Sequence, residues 1–194
     1  MEIVRHRVND VREMEGLDPS LGAEIDIRSR GGRLILAHEP HAPGPLLERY
    51  LDAYAKTRPK RLLILNPKED GLDGQVLAMM RRRRLENYFF LDLTFPAIVR
   101  LAVRGSERRV ALRVSEHEPA SAALAMKRRV QWAWLDCFSG RPAPAAAARA
   151  LGAGMSVCLV SPELEGYPAA AIPRFRRLAS SVDAVCTKHP ELWR

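Results

Sequence analysis

Short runs rich in β-branched and aromatic residues recur along this chain, and helix-like segments separate them. The strand-like runs are Glu2–Val8, Ala23–Arg28, Arg61–Asn66, Tyr88–Leu93, Arg109–Ser115, Gln131–Cys137, Ser156–Val160 and Ala184–Thr187. Helical spacing of apolar residues marks Pro45–Lys56, Gly74–Leu85, Pro96–Val103, Ala120–Arg129, the alanine-rich Pro144–Leu151, and Ala169–Ser180. Alternation of this kind implies a parallel sheet, because a strand can return beside its predecessor only through a crossover. Eight such units predict closure into a barrel. The expected fold is therefore a compact (β/α)8 TIM-type barrel, a single domain over residues 1–194, with short loops and a truncated last helix. One extra arm is expected: Gly31-Gly32 separates the second strand from Arg33–Ala37, a hairpin signal. An open doubly wound sheet would want a glycine-rich phosphate loop after the first strand, and none is present there.

Charge narrows the partners. The net charge is +8, which draws phosphate groups of any kind. The densest basic clusters, Arg81–Arg84 and Lys127–Arg129, close helix-like segments, where cations interact favourably with the helix dipole. Few aromatic residues interleave with them, so nucleic acid is the least supported partner. Cys137, Cys158 and Cys186 lie in or at the ends of apolar runs with neither disulfide nor zinc spacing, and are expected to be reduced, buried thiols. The first ten residues are charged throughout, so no signal peptide is expected, and no apolar run nears the ~20 residues of a membrane span. The expected location is the cytoplasm; nothing in the sequence sets an oligomeric state.

Barrel chemistry belongs at the C-terminal strand ends, and polar residues gather there. His6 and Arg7 end the first strand; Glu24, Asp26 and Arg28 lie on the second; Asn66 and Lys68 end the third. Asp92, Arg113, Ser115, Glu116, Asp136, Ser161, Glu163, Lys188 and His189 occupy the later ends. Glu24 and Asp26 are two apart and leave one face of their strand, while Ile25 and Ile27 leave the other. If that face is the interior, two carboxyl groups stand side by side, and either one takes a proton or a cation sits between them. A hard divalent ion, Mg²⁺ or Ca²⁺, suits oxygen ligands. Trp132, Trp134 and Asp136 share a face at period two; Trp134 either lines a pocket or fills the barrel. Ser115-Glu116-His117-Glu118 reads equally as a substrate-binding run or as a loop that caps a helix, and Ser161 as a pocket residue or part of a helix start.

The segment Gly22-Ala23-Glu24-Ile25-Asp26, followed by Gly31-Gly32 and His38-Glu39-Pro40, resembles the glycerophosphodiester phosphodiesterase family, within the phosphatidylinositol-phospholipase-C-like barrels. His6-Arg7-Val8 stands where that family shows His-Arg-Gly, and Asn66-Pro67-Lys68 where it shows an acid, one residue and lysine. The detailed resemblance covers roughly the first third of the chain.

The resemblance implies metal-assisted acid–base cleavage of a small or lipid-like phosphodiester. His6 and His38 would flank the phosphate as the acid–base pair. Glu24, Asp26 and Asn66 would hold the metal, with Asp92 or Asp136 as further ligands. Arg7, Lys68, Arg113 and Lys188 would neutralise phosphate charge, and Trp134, Ser115, Glu116 and Ser161 would border the substrate. Two departures stand out. Val8 replaces a glycine, and its β-branch is expected to narrow the pocket. Asn66 replaces an acid, and a neutral carbonyl ligand is expected to weaken metal binding. The alternative is a catalytically degenerate barrel that binds a phosphorylated ligand or a protein partner.

Overall fold

The computed structural model describes residues 1–58 and 60–194. Its strands are β1 (Glu2–Arg5), β2 (Gly22–Arg30), β3 (Arg33–Leu36), β4 (Leu63–Pro67), β5 (Tyr88–Phe90), β6 (Ala111–Val114), β7 (Trp132–Leu135), β8 (Ser156–Val160) and β9 (Ala184–Thr187). They form one sheet in the order β5-β4-β2-β1-β9-β8-β7-β6, all parallel, with β3 antiparallel on the far end of β2. A single parallel bridge, Phe90 to Val110, joins the two ends, so the eight parallel strands make a nearly closed (β/α)8 barrel.

Two apolar layers follow from strand alternation. Val4, Ile64, Phe89, Ala111, Trp132, Trp134, Cys158 and Cys186 fill the interior. Ile25, Ile27, Leu65, Phe90, Leu135 and Leu159 face outward and pack under the helices. Those helices are α1 (Val11–Gly16), α2 (Leu47–Thr57), α3 (Asp73–Arg82), α4 (Phe95–Ile98), α5 (Ala120–Ala125), α6 (Ala145–Gly152) and α7 (Ile172–Phe175). Helix α2 shows why: Leu47, Tyr50, Leu51 and Tyr54 are its buried residues and repeat at three- and four-residue spacing. The last helix is reduced to a 3₁₀ turn, Pro190–Leu192.

Several boundaries differ from the sequence expectation. Helix α1 is new: Asp10 caps it by accepting from the N–H groups of Arg12 and Glu13. Helix α4 continues as a π-helix over Val99–Arg104. The segment expected to be helical to Arg129 is helical only to Ala125, and Ala169–Ser180 breaks into a 3₁₀ turn, α7 and a second 3₁₀ stretch.

Two glycine sites are demanded by geometry. Gly31 and Gly32 both have positive φ, 56° and 74°, the backbone of a tight hairpin turn. A Cβ at Gly22 would lie 2.5 Å from the Leu62 carbonyl oxygen, so only glycine lets β2 start this close to its neighbour. The three cysteines are free and buried, and no helix among the described residues is long and apolar enough to cross a membrane.

Candidate active site

Strand β2 turns Glu24 and Asp26 into the barrel mouth, where their side chains are each 1% exposed. Every oxygen of the pair has a near partner. The Arg7 N–H donates to Glu24 Oε2 at 2.9 Å, and Asn66 Nδ2 donates to Oε1 at 3.1 Å. Asn9 clamps Asp26 reciprocally: its Nδ2 donates to Oδ2 and its Oδ1 accepts from the Asp26 N–H, both at 2.8 Å. Lys68 Nζ lies 3.0 Å from Asp26 Oδ1. Burial, and then the charge of Asp26, pushes the Glu24 carboxyl up to about 7.

Two histidines flank the pair. His6 Nε2 lies 3.9 Å from Glu24 Oε2. Burial, reinforced by the Arg7 charge, drives its pKa down to about 3, so it is a neutral imidazole at physiological pH. His38 follows the β2–β3 hairpin. Its Nδ1 is 2.7 Å from Glu39 Oε1 and its Nε2 meets Arg7 Nη2, a pattern satisfied by the tautomer that carries the proton on Nδ1. Arg28 holds the loop by donating twice to the His38 carbonyl, at 3.0 and 2.9 Å.

Arg7 links these parts. It contacts His38 with its guanidinium and Glu24 with its backbone, and its Nε is 3.8 Å from Asp26. Its φ is 56°, a left-handed conformation uncommon outside glycine and concentrated at functional sites. Val8, by contrast, is fully buried and packs in the helix-facing layer with Met14 and Ile25. It does not narrow the mouth, contrary to the sequence expectation, because the chain has already turned outward at Arg7.

The other expected residues separate into distinct groups. Lys188 is exposed at the end of β9, its N–H donates to Glu163, and its charge is among those that depress His6. Arg113 on β6 pairs with Asp92 and, at 3.0 Å, with Asp136. Asp136 stands opposite Glu24 and Asp26, since β7 is four strands from β2 in either direction, while Arg113 on β6 and Asp92 after β5 lie three and two strands from β2. Trp134 is buried in the interior against Phe89, at a centroid distance of 6.3 Å. Ser161 is fully buried and accepts from Trp193 Nε1. Ser115 Oγ accepts from the N–H groups of His117 and Glu118, which makes that run a capped loop, and Glu116 accepts from Phe138 and Ser139. Asn9, Arg28 and Glu39 had no role assigned from the sequence, although Arg28 was among the polar residues at the strand ends and Glu39 adjoins His38 in the motif.

Among the described residues, no three His, Cys, Asp or Glu side chains converge as a metal cluster. The third oxygen is instead an amide: Asn66 Oδ1 is buried and lacks a hydrogen-bond partner, beside two buried carboxyl groups. Two carboxyls and an orphan carbonyl oxygen are a hard donor set, so the residues present fit a Mg²⁺- or Ca²⁺-type ion.

No protein-family model and no curated protein matches the sequence. Solved structures do match the fold. A glycerophosphodiester phosphodiesterase of Thermotoga maritima superposes with a TM-score of 0.70 at 13% identity, covering 98% of this chain and 96% of its own. A Galdieria sulphuraria protein assigned the same activity gives 0.75 at 16% identity, covering 99% and 95%. A glycerophosphoryl diester phosphodiesterase of Parabacteroides distasonis ATCC 8503 gives 0.67 at 12%, covering 99% and 84%. At these identities the likeness is one of fold.

Proposed function

We propose that this chain is a phosphoric diester hydrolase that cleaves a small or lipid-like phosphodiester of glycerophosphodiester type. One observation carries the reading: a single residue, Arg7, ties His38 to the buried Glu24–Asp26 pair at a barrel mouth. The motif resemblance and the fold likeness support the same activity. His6, held neutral, takes the proton of the attacking hydroxyl or water as the new P–O bond forms. His38, once its Nε2 has taken a proton from solvent while Glu39 holds its Nδ1–H, delivers that Nε2 proton to the departing alcohol oxygen as the old P–O bond breaks, and the proton taken by His6 returns to solvent. Glu39 and Arg28 fix the His38 ring and its backbone. Arg7 and Lys68, with Lys188 at the rim, neutralise the phosphate charge. Glu24, Asp26 and Asn66 would hold a divalent ion, Mg²⁺ or Ca²⁺, and such an ion polarises a phosphoryl oxygen. Buried reduced thiols support a cytoplasmic setting.

The test is hydrolysis of bis(p-nitrophenyl) phosphate and of glycerophosphodiesters with Mg²⁺ or Ca²⁺ supplied. Turnover lost in both His38→Ala and Glu24→Ala supports the reading; unchanged turnover in either removes that residue from the mechanism. A second reading, a barrel that binds a phosphorylated ligand without turning it over, is favoured by the amide at Asn66. Phosphate-ester binding with no hydrolysis under any of these conditions selects it.

A further inference from the structure

The ends of β8 and β9 carry a buried polar network that proton transfer at His6 and His38 does not use. Its centre is Glu163, 8% exposed, in the 3₁₀ turn that follows β8. Glu163 Oε1 accepts from Thr187 Oγ1 at 2.5 Å and from the Lys188 N–H at 2.9 Å. Its Oε2 accepts from Ser161 Oγ, which in turn accepts from Trp193 Nε1 at 3.0 Å. Ser161, Thr187 and Trp193 are all buried. Both oxygens of Glu163 are thus satisfied, as a buried carboxyl group requires.

The network converges on one peptide. Lys188 is gripped at its N–H by Glu163 and at its carbonyl by Arg5 Nη1. The preceding carbonyl, that of Thr187, accepts from the His6 N–H at 2.9 Å, so this peptide lies directly beside the reaction centre. Alternation gives Lys188 the inward parity of Ala184 and Cys186, which fill the interior. Its side chain is exposed, and its charge reaches His6. Lys68 differs, because Asp26 fixes its ammonium at 3.0 Å. The Lys188 stem is flexible and takes its aim from the backbone that carries it.

We propose that Glu163 is a positioning residue for phosphate recognition: its bonds to Thr187 and Lys188 fix the backbone from which the Lys188 ammonium meets the phosphate, and Trp193 holds Glu163 in place through Ser161. The proposal rests on the hydrolase reading for where the phosphate lies. Hydrogen bonding, not the charge of Glu163, carries the effect. A glutamine keeps one oxygen for Thr187 and Lys188 and turns its amide toward Ser161; an alanine loses every bond.

Calorimetric titration with glycerol 3-phosphate, Mg²⁺ supplied, tests this without turnover. The proteins compared are the wild type, Lys188→Met, Glu163→Ala, their double variant and Glu163→Gln. Each of the first two variants is expected to raise Kd about tenfold, and the double variant no further, because both act through one ammonium. Glu163→Gln is expected to stay within about threefold of the wild type. Trp193→Phe, which keeps the ring and loses its N–H, replaces Glu163→Ala if that variant does not fold; it is expected to raise Kd about threefold. On any ester that is hydrolysed, the loss should appear in KM with kcat retained. This binding pattern without hydrolysis of any ester overturns the hydrolase reading and keeps the positioning role. A lowered melting temperature with unchanged Kd in Glu163→Ala makes Glu163 a part of the fold alone and overturns the proposal. So do losses that multiply in the double variant, a Glu163→Gln as weak as Glu163→Ala, or a Lys188→Met that binds like the wild type.

Discussion

Asp26 on β2 and Asp136 beyond β7 stand on opposite walls of the mouth, both almost fully buried and both turned inward by two-residue alternation. Their surroundings differ. Asp26 is clamped by Asn9 and paired with Lys68 and Arg7. Asp136 faces one guanidinium and the Glu165 carboxyl, and burial, opposed by Arg113 and aided by Glu165, pushes it up to about 8. Both walls keep buried polar atoms without hydrogen bonds, Asp26 Oδ1 and Asn66 Oδ1 on the first and the Asp136 carboxyl on the second, but only the first is gripped from several sides. A wall gripped in that way is suited to fix reacting groups in place.

The largest effect should come from the first wall. His38→Ala is expected to lower kcat about 10²–10⁴-fold on any phosphodiester that the wild type hydrolyses; a loss below tenfold would detach His38 from proton transfer. Next is Val8→Gly, which restores the family's glycine. Because Val8 is sealed in the helix-facing layer, the change should cost about 2–4 kcal/mol in denaturant unfolding without raising kcat. A gain in activity would return Val8 to the mouth. Asn9→Ala should cost about 1–3 kcal/mol, since it strips Asp26 of both its bonds to Asn9.

The second wall should respond to pH. The Asp136 pKa is raised above its unfolded value, so the native state holds a proton that the unfolded chain has lost, and the stability linked to this group falls as pH rises from about 4 toward 8. Asp136→Asn removes that fall, and its melting temperature should gain on the wild type at pH 8 relative to pH 5. A constant difference between the two pH values would break the contrast between the walls. On the first wall, the sign for His6 is opposite: its pKa is lowered to about 3, so its contribution rises with pH up to the unfolded value near 6.5. Its imidazole resonances, followed by NMR, should not titrate between pH 5 and 8.

Much of this arrangement was legible in residue order. The eight strands, the hairpin at Gly31-Gly32 and the shared face of Glu24 and Asp26 follow from period and spacing, whereas the pairing of His6 with His38 came from the family resemblance. What escaped reading has physical reasons. Helix α1 is six residues long with one buried side chain, Met14, too short for a periodic signal. Asn9 acts through a partner 17 residues away, and nothing in the spacing marks an amide as a clamp. The outward turn of Val8 depends on the left-handed backbone of Arg7, a conformation its residue type does not advertise. Asp92 meets Arg113 for the same reason.

The barrel seam between β5 and β6 has a further consequence. Backbone pairing there is one bridge, Phe90 to Val110. Charge supplies the rest: Arg113 and Asp92 clasp the upper rim, while Glu107, with Arg109, Arg81 and the Tyr88 hydroxyl, clasps the lower one. Ionic strength loosens this seam at its more exposed upper clasp, while the buried Glu107 clasp is screened far less and the hydrogen-bonded staves elsewhere keep their rigidity.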